Sequence, residues 1–230
     1  MPKRFGRVKR LIRFGFKYLW GRFNYIRSVF EYCLPKYVKW VQTQVRYDEW
    51  SQKTLSKEYL SFIVERGKQF SEFVGDYKRL IDVGCGNGLI SDKPYAEVGY
   101  CPIKLGGFVL GVDPLPMLVR PPWVTEYLEA RIEECKNIVK EGKFDKATII
   151  TSLDHFEKPL EALKILLPVG ELCLWETVYL KKTLPDLNHV YRFTFYEVLN
   201  LLKEAGWRIK ETKKVDENNE SEGWFIRAKA

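Results

Sequence analysis

Three glycines at alternate positions, Gly84, Gly86 and Gly88, close the run Leu80-Ile81-Asp82-Val83. An apolar run that ends this way reads as a buried strand entering a tight loop. Glycine there admits φ > 0 and lets bare backbone approach a ligand. A second apolar run, Phe108-Val109-Leu110-Gly111-Val112, ends at Asp113, whose carboxylate could accept hydrogen bonds from both hydroxyls of a ribose. The pair points to a nucleoside-containing cofactor at the edge of an α/β sheet. A dinucleotide is not indicated, because the G-x-G-x-x-G fingerprint needs its third glycine where this chain has Leu89. Proton chemistry could come from the two histidines of the chain, His155 and His189. His155 follows the apolar run that ends at Ile150, with Asp154 beside it. Adjacent side chains seldom face each other, so the order Asp154-His155 does not itself imply a dyad.

Asp82-x-Gly84-x-Gly86-x-Gly88 resembles motif I of the class I S-adenosylmethionine-dependent methyltransferases, and Gly111-Val112-Asp113 resembles their motif II. The likeness continues in family order. Phe144 to Phe156 is similar to the fourth strand and its following loop, and Leu167-Pro168-Val169-Gly170-Glu171-Leu172 to the turn into the fifth strand. His189-Val190-Tyr191-Arg192-Phe193-Thr194 is similar to the segment before the last helix and the sixth strand. The resemblance spans roughly residues 78–228. It implies a Rossmann-like, seven-stranded, mostly parallel sheet with helices on both faces. It also implies S-adenosylmethionine as cofactor, held by Asp82, Gly84, Cys85, Gly86, Asn87, Gly88, Asp113 and Pro114. Adenine would lie near Arg131 and Ile132, Ser152 and Leu153 would also bind the cofactor, and the methyl group would lie near His155. Arg131 departs from the carboxylate or amide common at its position, since guanidinium accepts no hydrogen bond. Glu133 or backbone groups would have to serve instead.

The elements that must position these residues follow from periodicity. Strands are expected at about 79–83, 108–112, 124–128, 146–152, 171–178, 207–213 and 223–228, with helices at 131–141, 157–167 and 194–205. The 25-residue separation from Gly88 to Asp113 contains Pro94, Gly99, Pro102, Gly106 and Gly107, so a short turn after Leu89 and then a loop over 92–107 are expected, where the resembled family has a regular helix. Trp123, Trp175 and Tyr179 read as core or pocket lining. Residues 78–230 form the catalytic domain, 47–77 a helical lead-in with an apolar stripe (Leu55, Tyr59, Phe62, Ile63, Phe70, Phe73), and 1–46 a separate arm.

The chain of 230 residues carries a net charge of +8, and the excess sits at one end. Residues 1–40 hold eleven Lys and Arg against one acid, Glu31, while Phe5, Val8, Ile12, Phe16, Leu19, Phe23, Ile26 and Phe30 recur at helical spacing. Such an arm could pack on the core, lie on an anionic membrane, or meet nucleic acid, the last being less favoured. No apolar run approaches the ~18 residues of a membrane span. Five scattered cysteines without a C-x-x-C pair read as reduced thiols in a cytoplasmic protein, peripheral on the inner membrane face if the arm binds lipid. Two histidines make a His-rich metal centre unexpected, and no metal ligand is assigned. The expected activity is methyl transfer to an oxygen or carbon of a small-molecule, lipid-linked or glycan acceptor, with His155 or His189 as base. An RNA methyltransferase and a non-catalytic cofactor-binding scaffold are the alternatives.

Overall fold

Short apolar runs, buried on both faces, build the centre of the molecule. In the computed structural model, which describes residues 55–90, 92–181, 189–218 and 220–230, seven strands form one sheet. They are β1 (Arg79–Val83), β4 (Phe108–Asp113), β5 (Glu126–Glu129), β6 (Lys146–Ile150), β7 (Glu171–Tyr179), β8 (Arg208–Glu217) and β9 (Ser221–Lys229). Two short strands, β2 (Leu89–Ile90) and β3 (Lys93–Pro94), pair separately. The sheet order is β5-β4-β1-β6-β7-β9-β8. The first five strands run parallel, and β9 is antiparallel to both β7 and β8. This is the expected seven-stranded, mostly parallel Rossmann-like architecture.

Neighbouring residues of each strand point to opposite faces, and the packing follows that rule. Ile81, Val83, Leu110, Leu172 and Leu174 join one apolar cluster, whereas Leu80, Val109, Cys173 and Trp175 join another. The first cluster is covered by α3 (Lys136–Glu141), α4 (Pro159–Ile165) and α5 (Phe195–Ala205), through Val139, Leu163, Val198 and Leu202. The second is covered by α1 (Lys57–Val74), through Phe70, Phe73 and Val74. Helix α1 starts at Ser56, whose hydroxyl accepts from Tyr59 N, and stops at Gly75 with φ 68°. Helix α5 opens on a reciprocal Thr194–Glu197 capping box and ends at left-handed Gly206. The arm over residues 1–46 and the lead-in over 47–54 lie outside the described residues.

Several boundaries differ from expectation. The 131–141 helix divides into a 3-10 turn (Ile132–Glu134) and α3. The last two strands run beyond the expected 207–213 and 223–228, because β8 continues to Glu217, β9 starts at Ser221, and the bend is held by Asn218, whose Oδ1 accepts from Glu220 N and Ser221 N. The 92–107 stretch is more ordered than a loop. Strands β2 and β3 make a hairpin with Asp92 at φ 59°, and the single turn α2 (Tyr95–Val98) ends at Gly99 with φ 76°. Aromatic packing selects this arrangement. Tyr95 stacks on Trp123 at 5.4 Å between ring centroids and meets Tyr100 edge-on at 5.1 Å.

Candidate active site

All functional side chains named from the sequence that fall on the sheet gather at the carboxyl ends of its parallel strands. The loops after β1 and β6 adjoin at the point where the crossover direction reverses, the position at which open α/β sheets bind ligands. Gly84, Gly86 and Gly88 have φ of 75°, 75° and 89°. Gly84 N donates to Val112 O at 2.8 Å, tying the loop to β4. A Cβ on Gly84 would lie 2.3 Å from the Ser152 hydroxyl, and one on Gly88 only 1.5 Å from the Val119 carbonyl oxygen. Both positions are thus closed to side chains by the protein itself. Leu118 N and Val119 N donate to Asn87 O, each at 3.0 Å, so the segment after β4 lies along the glycine loop.

Two buried carboxyls organise this corner. Asp113, 5% exposed, accepts from Gly86 N at 2.8 Å through one oxygen and from Leu115 N at 2.9 Å through the other. A carboxylate offers about four lone-pair sites, so two remain, the number that a ribose diol requires. Asp82 is wholly buried and accepts from Trp123 Nε1 at 2.8 Å and Thr148 Oγ1 at 2.7 Å. Its register partners Gly111 and Thr148 flank it in the sheet. Burial pushes both carboxyls up to about 6, opposed by these hydrogen bonds. Asp82 is therefore an internal brace for the loop.

The remaining expected cofactor residues are scattered in role. Cys85 is buried, with its Sγ against Gly111. The Arg131 guanidinium is engaged by Glu134 and Glu157, each at 3.0 Å. Ile132 and Leu153 are core residues, and Pro114 is half-buried beside Asp113. Ser152 Oγ donates to Val83 O at 3.2 Å, which fixes the two loops to each other.

Beside the loop opens a cavity of about 450 Å³, with none of the three loop glycines in its lining. One wall is aromatic, from Tyr59 and Phe62 of α1 with Trp175 and Tyr179 of β7. Its polar floor brings together both histidines. The 3-10 turn Leu153–His155 carries His155 Nε2 to 3.4 Å from Asp154 Oδ1, so these neighbours do face each other, contrary to the sequence reading. From the other side His189 Nε2 reaches 3.7 Å from Asp154 Oδ2, and the two imidazoles meet edge-on at 5.1 Å. Thr151, also in the lining, holds an unusual φ of 46° at the exit of β6, where its N–H donates to Trp175 O.

Glu176 is the residue that the sequence reading missed. It is 2% exposed, lines the cavity, and accepts from Leu153 N at 2.9 Å and Ser152 N at 3.2 Å. Burial pushes its carboxyl up to about 8, against the effect of both N–H bonds. An acid interrupting the apolar run Leu172-Cys173-Leu174-Trp175 was the available signal.

Comparison with solved structures places this fold. The chain is similar to an S-adenosylmethionine-dependent methyltransferase, a possible histamine N-methyltransferase, from Thermotoga maritima, at a TM-score of 0.53 and 19% identity, over 74% of this chain and 90% of that one. It is similar to the [4+2]-cyclase SpnF at a TM-score of 0.51 and 17% identity, over 75% and 79%. EvdMO1 gives 0.51 and 19%, with 73% of this chain spanning 40% of that one. No protein-family model and no curated protein matches the sequence. The likeness establishes the class I methyltransferase fold, and the same fold carries a cyclase, so the reaction has to be argued from the site.

Proposed function

We propose that this chain, built on the class I methyltransferase fold, is an S-adenosylmethionine-dependent methyltransferase. The observation that carries the reading is the glycine loop, held in left-handed backbone by Asp113 with two acceptor sites of that carboxylate left over. The fit extends to the Thermotoga relative, described as dependent on the same cofactor. When bound, the sulfonium supplies an activated methyl group. The chain's part is to align the acceptor and exclude water.

The acceptor is proposed to lie in the cavity. Tyr59, Phe62, Trp175 and Tyr179 would cover an apolar or ring-bearing small molecule, and the Asp154–His155–His189 floor would deal with the proton of its hydroxyl or acidic carbon. Glu176, protonated at neutral pH, would donate a hydrogen bond from the same floor. A lipid-linked or glycan acceptor, met at an anionic surface, is supported by the basic amphipathic sequence of residues 1–40.

Calorimetric titration of the full chain with S-adenosylmethionine, S-adenosylhomocysteine and NAD tests this. Micromolar binding of the first two, none of NAD, and at least tenfold weaker binding by Asp113→Ala are expected. Binding of neither sulfur nucleoside overturns the reading.

A further inference from the structure

The chain has two histidines, and the fold delivers both to one carboxylate. They come from segments 34 positions apart in sequence, one leaving β6 and one ahead of α5. From the geometry we infer that Asp154, His155 and His189 form a site for a single divalent transition-metal cation, open toward the cavity.

Spacing supports the assignment. One ligand atom from each residue lies within 4.8 Å of the others. The Nε2-to-oxygen distances of 3.4 and 3.7 Å are long for hydrogen bonds, whose usual length is about 2.9 Å. They suit donors sharing a cation, since ligands about 2.1 Å from a tetrahedral centre sit about 3.4 Å apart. The supporting backbone is fixed on both sides. Tyr191 N donates to Asp154 O at 3.0 Å, His155 N to Ser152 O at 3.0 Å, and Tyr191 Oη to Glu157 O at 3.0 Å. Side-chain exposures of 8%, 17% and 25% for Asp154, His155 and His189 leave the cluster shielded yet reachable.

The donor set decides the metal. Two imidazoles and one carboxylate suit Zn²⁺, Fe²⁺ or Co²⁺, whereas Mg²⁺ and Ca²⁺ prefer oxygen shells. Three protein ligands leave further coordination positions, as in catalytic sites, and all three residues line the cavity. The ligand taken there is an oxygen or nitrogen donor of a molecule in that cavity. That this donor is a methyl acceptor, its hydroxyl acidified by the cation in place of an imidazole base, rests on the transferase reading; the cation's binding does not.

The test is titration of the chelator-stripped full chain with Co²⁺, followed by visible absorption, with Zn²⁺ as competitor. One Co²⁺ per chain is expected, with the d–d bands of a four- or five-coordinate ion, no thiolate charge transfer, and displacement by Zn²⁺. Asp154→Asn, His155→Gln and His189→Gln should each weaken binding at least tenfold while retaining the wild-type near-UV circular dichroism. Glu141→Gln, at an exposed acid that ends α3 and is absent from the cavity lining, should bind as wild type. Absence of Co²⁺ bands in the wild type, or bands that persist in the His155→Gln/His189→Gln double variant, overturns the site. Thiolate charge transfer would overturn it too, by assigning the ion to cysteine. S-adenosylhomocysteine affinity, measured on the same samples, is an independent readout: nucleoside binding without Co²⁺ removes only the metal site, and Co²⁺ binding without nucleoside removes only the transferase.

Discussion

Trp123→Phe isolates what a single buried polar contact contributes at the glycine corner. The substitution keeps the ring against Tyr95 and Tyr100 but removes the N–H that Asp82 accepts. A buried carboxyl left with Thr148 as its remaining side-chain donor should cost about 1–3 kcal/mol of stability, read as a lower urea midpoint with an unchanged m-value. An unchanged midpoint would mean that Asp82 is satisfied some other way. This contact also marks the limit of legibility at the residue scale. The types Asp82, Gly84, Gly86, Gly88 and Asp113 were readable because their spacing is local. The partners of Asp82, 41 and 66 positions away, were not, because sheet register brings up Thr148 and the turn ahead of β5 brings up Trp123. Asp154 and His155 illustrate the opposite error: a local rule about neighbours yielded to a 3-10 turn.

Helix α1 acts as a unit, since its last two turns dock on the sheet while its first turns wall the cavity. Phe70 is fully buried, 5.1 Å from Phe225 and 6.0 Å from Trp175 between ring centroids. Phe70→Ala should cost about 3–5 kcal/mol. It should also speed amide hydrogen exchange throughout residues 57–74 more than in β1 or β6, and uniform acceleration would show that α1 is not a separate unit. Among elements, strands built on apolar runs were predictable to within about two residues, whereas the charged β8 continues past the expected 213 to Glu217. The β2–β3 hairpin was not, because its stability comes from Tyr95, Tyr100 and Trp123, which no local pattern connects. Pro94 and Gly99 did announce that a long helix could not form there.

At the scale of the molecule, three buried carboxyls among the described residues contribute a common response to pH. Asp82 and Asp113 are raised from 3.8 to about 6, and Glu176 from 4.5 to about 8. A group that binds its proton more tightly when folded lends stability at low pH and loses it as pH rises through the folded value. Stability from these groups should therefore decline between about pH 4 and pH 8, and the decline should shrink in Glu176→Gln. Thermal unfolding across that range checks it; a Tm that rises steadily to pH 8 would contradict the assignment. The outermost strands carry a different consequence. At one edge β5 is four residues long; at the other β8 is ten, bearing Arg208, Lys210, Glu211, Lys213, Lys214, Asp216 and Glu217 and shifting register twice. Short, charged and irregular borders discourage a second chain from adding its own strand. Copies of this protein are thereby kept from polymerising through their sheets, and salt strong enough to screen the β8 charges would weaken that safeguard.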